Sequence, residues 1–379
     1  MSETVANRKK SRLQIRYRGR SAQVWIYLGK MLRMFIYQND WKVLPMAALI
    51  AGLVGMVIRT RLFVTMEGTL MGAFALVMVC IWNGCFNSIQ VICRERDVIK
   101  REHRSGMHIS SYIRAHMIYQ ALLCLLQTAV TIYITLMVGV KYEGPGLVTP
   151  FLIVDFGISM FLIAYASDML ALWISSLSKS TTTAMTIMPF VLIFQLVFSG
   201  GMMSLPAWTN SITPLTISNP ALKVLATQSN YNSRPVMTVW NTLNGMKDRE
   251  VSATVTLGQA MDLLQKEDNP FISDFRAMEL SGSITVGNLL DGVAESPEVQ
   301  AHREDSHTFT STVGGIVDMI GADRVKDLLQ NRIAEASQIP DYEYTTENVV
   351  EYWLRLILFV IVFAALSIIT LEFIDRDRR

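Results

Sequence analysis

Six stretches of the chain stay apolar for about as long as a helix needs to cross a bilayer, and polar or charged residues close each of them. They lie near 42–58, 70–93, 115–140, 148–177, 185–203 and 353–374. A hydrocarbon core of roughly 30 Å takes about 20 residues of helix. A lipid-exposed backbone must satisfy its own hydrogen bonds, so each stretch predicts a membrane helix. The first is the shortest, and Trp41 and Arg59 bracket it as an interfacial aromatic and a snorkelling cation would. Ahead of it, Val24-Trp25-Ile26-Tyr27-Leu28 and Met31-Leu32 interleave with Lys30 and Arg33 at helical spacing. That pattern predicts an amphipathic helix lying in the membrane interface.

A different pattern fills the interval between the fifth and sixth stretches. Thr256-Leu257-Gly258-Gln259-Ala260-Met261-Asp262 recurs as Thr285-Val286-Gly287-Asn288-Leu289-Leu290-Asp291 and as Thr312-Val313-Gly314-Gly315-Ile316-Val317-Asp318. Repeats at such intervals mark stacked supersecondary units. Each threonine is placed to cap a short helix, and a β-prone run precedes each cap at 251–255, 281–284 and 308–311. The expectation is a small α+β module of three strand-plus-helix units, closed by a helix over 323–336. Asp262, Asp291 and Asp318 read as ordinary helix-surface carboxylates, since a calcium site needs more oxygen ligands closer together.

Charge then orients the spans. The N-terminal forty residues hold nine basic side chains, Arg8 to Arg33, against Glu3 and Asp40; the segment after the second span adds Arg94, Arg96, Lys100, Arg101, Arg104 and Arg114; and the chain ends Asp375-Arg376-Asp377-Arg378-Arg379. With six crossings these fall on one side, and the positive-inside rule makes both termini cytoplasmic. Residues 221–350 carry ten basic and nineteen acidic side chains, so the repeat module is expected outside. No signal peptide precedes the first span, which is expected to act as the insertion signal. Cys80, Cys85, Cys93 and Cys124 all lie in predicted spans, leaving the external module without a disulfide. No Asn-x-Ser/Thr acceptor occurs, which favours a bacterial source. Overall composition agrees: 51% of the 379 residues are apolar, 17% are charged, and a net charge of +2 argues against nucleic-acid binding.

The chain contains no phosphate loop, His-Glu-x-x-His, Cys-x-x-Cys or Gly-x-Ser-x-Gly. It carries no enzyme signature, and no cofactor or metal site of its own is expected. The most informative segment follows the second span: dense charge pairs from Arg94 through Arg104, then Gly106, then Ser110-Ser111-Tyr112 opening the third span. A short helix pinned by ion pairs beneath the bilayer could transmit force from a soluble partner.

Glu95, Glu102, Gly106 and Ser111-Tyr112 resemble the cytoplasmic loop of ABC type-2 exporter permeases of the G subfamily, the white and pleiotropic drug resistance type. The resemblance continues in 176–183, Phe198-Ser199-Gly200, Pro206-x-Trp208 and Ser218-Asn219-Pro220. It covers the membrane part and stops short of the repeats. The external insert and Gly201-Met202-Met203, standing where those pumps carry a bulky apolar plug, depart from the pattern. The resemblance implies a fold of six transmembrane helices of ABC type-2 exporter type, membrane all-α, with the α+β external domain inserted between helices five and six. Its parts are a basic tail and connecting helix at 1–40, helices one to five at 41–229 with a coupling helix near 95–110 and a re-entrant outer segment near 204–222, the external domain at 230–348, and helix six with the C-terminus at 349–379.

The implied site residues are Glu95, Arg101, Glu102, Gly106 and Ser110 for coupling to an ATPase, and Asn83, Asn87, Gln195, Phe198 and Met202 for the substrate cavity. Asn83, Asn87, Gln90 and Arg94 share one face of span two, where interhelical hydrogen bonding is the alternative use. Intramembrane charges are functional suspects by default. Asp155 and Arg355 lie at depths that would allow an ion pair, whereas Asp168 has no basic residue at its depth. The 22 methionines suit either core filling or a promiscuous cavity. The implied protein is a plasma- or inner-membrane permease subunit moving an amphipathic drug, lipid or peptide outward. Its partners would be a second permease copy, homo- or heterodimeric, and a separate ABC ATPase holding ATP and Mg. The competing expectation is a membrane receptor or scaffold whose external module senses a ligand.

Overall fold

The computed structural model describes residues 19–37, 40–201, 209, 211–265, 270–281 and 284–373. In chain order its elements are α1 (Arg20–Tyr37), α2 (Val43–Ile58), α3 (Met66–Ser88), α4 (Val91–Arg104), α5 (Ile109–Val138), α6 (Leu152–Leu177), α7 (Thr181–Val197), α8 (Ser218–Gln228), α9 (Thr238–Gly245), β1 (Glu250–Thr256), α10 (Leu257–Gln265), α11 (Pro270–Arg276), β2 (Glu279–Ser281), β3 (Ile284–Thr285), α12 (Val286–Ala294), α13 (Pro297–Ala301), β4 (Ser306–Thr312), α14 (Val313–Ile320), α15 (Ala322–Ala336) and α16 (Thr346–Glu372). They form two compact units, 234–338 and the remainder.

In the first unit, four helical runs are long and apolar enough to cross a membrane: 66–104, α5, α6 and α16. The expected first and fifth spans are the shorter apolar helices α2 and α7, of 16 and 17 residues. Of the expected re-entrant stretch 204–222, residues 204–208 and 210, with Pro206-x-Trp208, lie outside the described residues, as do the basic tail and the final arginines, and its later part runs into α8.

Helix α6 is central, packed by α3, α5, α8 and α16. Its approach to α3 depends on Gly84, where a Cβ would come within 2.1 Å of the Ala164 carbonyl oxygen. Small residues of this kind let membrane helices meet backbone to backbone. A polar chain crosses the same core: Trp353 Nε1 on α16 donates to Ser159 Oγ on α6 at 2.7 Å, and Ser159 donates to Gln228 Oε1 on α8 at 3.0 Å. Around the outside, Leu49 and Leu53 of α2, Leu122 and Leu126 of α5, and Leu358 and Ile361 of α16 are exposed. Such a continuous apolar exterior suits lipid as its solvent.

The chain segments leading to and from the second unit are tied together within the first. Asn232 Nδ2 donates to the Ile339 carbonyl at 3.0 Å, the Ile339 N–H donates to Asn232 Oδ1 at 3.1 Å, and the Tyr231 and Tyr342 rings meet edge to face at 5.2 Å. The separate unit is accordingly narrower than 230–348.

Within the second unit β1 and β4 pair antiparallel from Glu250↔Thr312 to Thr256↔Ser306, and β2 pairs with β3. The three repeats fold alike. Thr256, Thr285 and Thr312 accept the N–H groups of Gln259, Asn288 and Gly315 at 3.2, 3.3 and 3.0 Å, capping α10, α12 and α14. The repeat glycine leaves room for a neighbouring chain: a Cβ on Gly258 would lie 2.4 Å from Arg303 Cγ, and Gly287 and Gly314 adjoin Arg276 and Lys247 in the same way. One turn on, the repeat aspartate takes up that basic residue in two of the three cases. Asp262 pairs with Arg303, and Asp291 binds Arg276 with two oxygens at 2.8 and 3.0 Å. The motif is thus a cap, a flat spot and an anion for one crossing arginine.

Candidate functional site

The charged segment after α3 forms a separate helix. The sequence places 91–93 in span two; the helical run 66–104 bends at Ile89-Gln90, and α4 begins at Val91. Gln90 gives no side-chain cap. The leading donors of α4 are met from another helix, since Ser175 Oγ on α6 accepts the N–H groups of Ile92 and Cys93 at 3.1 and 3.2 Å.

Side chains on both flanks hold α4 in place. On one side, Tyr27 of α1 donates its hydroxyl to the Glu102 carboxylate at 3.0 Å, and Lys30 Nζ stands 3.6 Å from Glu95 Oε2. Gln23 closes the turn after α4, its Nε2 donating to the Gly106 carbonyl at 3.3 Å while its Oε1 accepts the His108 N–H at 3.0 Å. Burial, and then the Glu102 carboxylate, push the Tyr27 phenol above its ordinary pKa, so it remains a donor. On the other side, Arg96 donates to the carbonyls of Ser176 and Ser178, both at 3.0 Å. Tyr112 at the start of α5 donates to Glu95 at 3.2 Å and sets its ring against Tyr27.

Among the implied coupling residues, Glu95 and Glu102 therefore face the protein and fix α4, and Gly106 (φ 102°) makes the turn. Arg101 is exposed, as are Asp97, Arg104 and Ser105, and Ser110 is half-buried in the first turn of α5. Gln23, Tyr27, Arg96 and Ser175 were missed by sequence reasoning. Their signal is weak: Gln23 and Tyr27 are four residues apart on one face of α1, and Ser175 stands among a run of serines.

Two of the remaining resembled motifs, at the end of α7 and the start of α8, also meet. Ser218 donates its N–H to Gln195 Oε1 at 3.0 Å and its hydroxyl to the Gln195 carbonyl at 2.6 Å, while Asn219 Nδ2 reaches the Ser199 carbonyl at 3.4 Å. Gln195 is buried against α8 by these bonds. Phe198 is half-buried and sets its ring against Phe194, tilted by 43° with ring centroids 4.7 Å apart. Asn87 and Gln127 exchange amide hydrogen bonds at 2.8 and 3.1 Å, the interhelical use of that face, and Asn83 is buried. Met202 lies outside the described residues.

The expected Asp155–Arg355 ion pair is absent. Asp155, fully buried at the start of α6, accepts the backbone N–H groups of Leu147, Val148 and Thr149 at 2.7, 2.9 and 2.9 Å. Those three bonds satisfy the carboxylate locally, and Arg355 stays half-exposed, paired with Glu351 one turn away. Asp168 is fully buried, and neither carboxylate oxygen has a hydrogen-bond partner among the described residues.

No curated protein matches the chain. The family described as ABC-2 type transporter matches residues 10–222, which cover α1 to α7 and reach into α8. That is more than half of the 379 residues, and it takes in both sides of the α4 clamp. The chain is a multi-pass membrane component of a transport system and belongs to the ABC-2 type transporter family.

Proposed function

We propose that this chain is the permease subunit of an ABC exporter of the G-subfamily type, driven by ATP hydrolysis on a separate ATPase. In this reading α2 and α7 complete six crossings, both termini are cytoplasmic, and the unit 234–338 lies outside. Two copies would enclose a central cavity reached by Asn83, Asn87 and Phe198, and an amphipathic drug, lipid or peptide would pass outward through it. The observation that carries the reading is the clamp on α4. Bonded to α1 through Tyr27 and Gln23 and to α6 through Arg96 and Ser175, α4 cannot shift without moving both. Its exposed residues Asp97, Arg101, Arg104 and Ser105 would meet the ATPase, whose nucleotide-driven closure would bias the cavity from inward- to outward-facing.

The test is co-purification of the tagged chain with its native neighbours, repeated with Arg101→Glu, Glu102→Ala and Gly106→Pro. A stoichiometric ATPase is expected with the unaltered chain. Arg101→Glu should release it, and the other two should leave its hydrolysis uncoupled from the permease. If no ATPase associates in any nucleotide state, the exporter reading fails and a receptor or scaffold built on this fold takes its place.

A further inference from the structure

A groove of about 540 Å³ opens to the apolar exterior of the first unit between α1, α5 and α6. On α5, Leu122 and Leu125 stand exposed along it, and the small, half-buried Ala121 leaves it open between them and α6. The α6 wall is rigid. Phe161 and Tyr165 stack with ring centroids 5.7 Å apart, and the Tyr165 hydroxyl donates to the Met117 carbonyl on α5 at 3.1 Å. Arg114 lines the same groove; it is exposed and has neither an ion pair nor a hydrogen bond among the described residues. No carboxylate lines the groove among the described residues. From Arg114 to Leu125 the groove follows α5 for about 16 Å, and half of a hydrocarbon core is roughly 15 Å. It lies on the other face of α5 from Gln120 and Gln127, which bond to Ser88 and Asn87 of α3. The groove is therefore separate from the cavity proposed above.

We infer that this groove holds a resident anionic phospholipid of the leaflet on the α4 side. Its phosphate takes the Arg114 guanidinium, whose fork suits phosphate oxygens. One acyl chain lies over Ala121, between Leu125 and the Phe161–Tyr165 pair. Charge selects the headgroup, because the ammonium of a zwitterionic lipid finds no carboxylate in the groove, whereas a net anion is matched by Arg114. The match to one leaflet's depth selects a lipid over a soluble phosphate ester. Through Val24, Ala121 and Phe161 the occupant touches α1, α5 and α6 together, and α1 and α6 are the helices that hold α4. The site requires α5 and α6 to cross the bilayer and does not depend on an ATPase partner.

Native mass spectrometry of the full chain released from neutral detergent tests the assignment, with phosphatidylglycerol, phosphatidylcholine and glycerol 3-phosphate as probes. One phosphatidylglycerol per chain is expected, bound about fivefold more tightly than phosphatidylcholine, the preference that one interfacial cation gives. Glycerol 3-phosphate is not retained. Arg114→Gln, an exposed change, should erase the preference while leaving weak binding of both lipids, and Arg114→Lys should keep most of it. Ala121→Leu, which fills the groove, should lower the affinity of both lipids about equally, with the unfolding temperature of the lipid-free chain unchanged. Equal binding of the two lipids by the unaltered chain, or an unchanged preference in Arg114→Gln, overturns the proposal. Retention of glycerol 3-phosphate as tight as that of the lipid reassigns the groove to a soluble anion. If Ala121→Leu dissociates a dimer and leaves lipid binding untouched, the occupant is a second copy of the chain and the proposal fails.

Discussion

Three buried residues test how this chain handles polarity and close packing. Asp155 holds three backbone N–H groups, so Asp155→Ala strands buried donors and should cost about 3–5 kcal/mol in detergent thermal unfolding. Arg355→Gln, by contrast, should change stability by less than about 0.5 kcal/mol, because its partner Glu351 is an exposed neighbour on the same helix. Equal losses in the two variants would restore the Asp155–Arg355 pair. At Gly84 even one methyl meets the Ala164 carbonyl. Gly84→Ala should therefore cost about 1–3 kcal/mol, and Gly84→Leu should yield no monodisperse protein. Asp168 has no hydrogen-bond partner among the described residues, and an ionised carboxylate in such surroundings is costly, so Asp168→Asn is expected to unfold at the same temperature as the unaltered chain or higher.

The element that matters most is α4, whose first donors are capped from α6 and whose end is held by α1. Tyr27→Phe should remove about 1 kcal/mol, and combining it with Glu102→Ala should cost less than the sum of the two single changes, since each breaks the same bond. A thermal double-mutant cycle reads that coupling. Among the repeats, Thr285→Ala should cost about 1 kcal/mol through its lost cap. Gly258→Val should disturb more, since the Arg303 stem occupies the space a side chain would need; amide exchange across 257–265 would show it.

For the molecule as a whole, the stems that flank 234–338 hold each other through Asn232 and Ile339. Replacing that unit by a short Gly-Ser linker should therefore leave the remaining helices assembled, eluting as one species with an unfolding temperature within a few degrees of the full chain. A collapse into aggregate would mean that the membrane unit needs the insert to fold. If the shortened chain assembles and still exports an identified substrate at the full rate, transport does not need the insert.

The apolar stretches, the amphipathic helix before them and the Thr-x-Gly-x-x-x-Asp repeats were legible in the sequence because each is a local pattern. Hydropathy, 3.6-residue spacing and capping act within one turn or one span. The repeat geometry shows the limit of that legibility: the threonine caps follow from the repeat itself, but nothing local says that Asp262 and Asp291 hold Arg303 and Arg276. The same limit placed Asp155 with Arg355, because depth along a helix ignores a loop that folds back over its end. It also hid Gln23, Tyr27, Arg96 and Ser175, each of which acts on a residue about 75–85 positions away. Sequence alone marked the apolar segments and where the family motifs lie. Tertiary structure decided which side chains hold those segments, since hydrogen-bond partners are chosen by helix packing and not by separation along the chain.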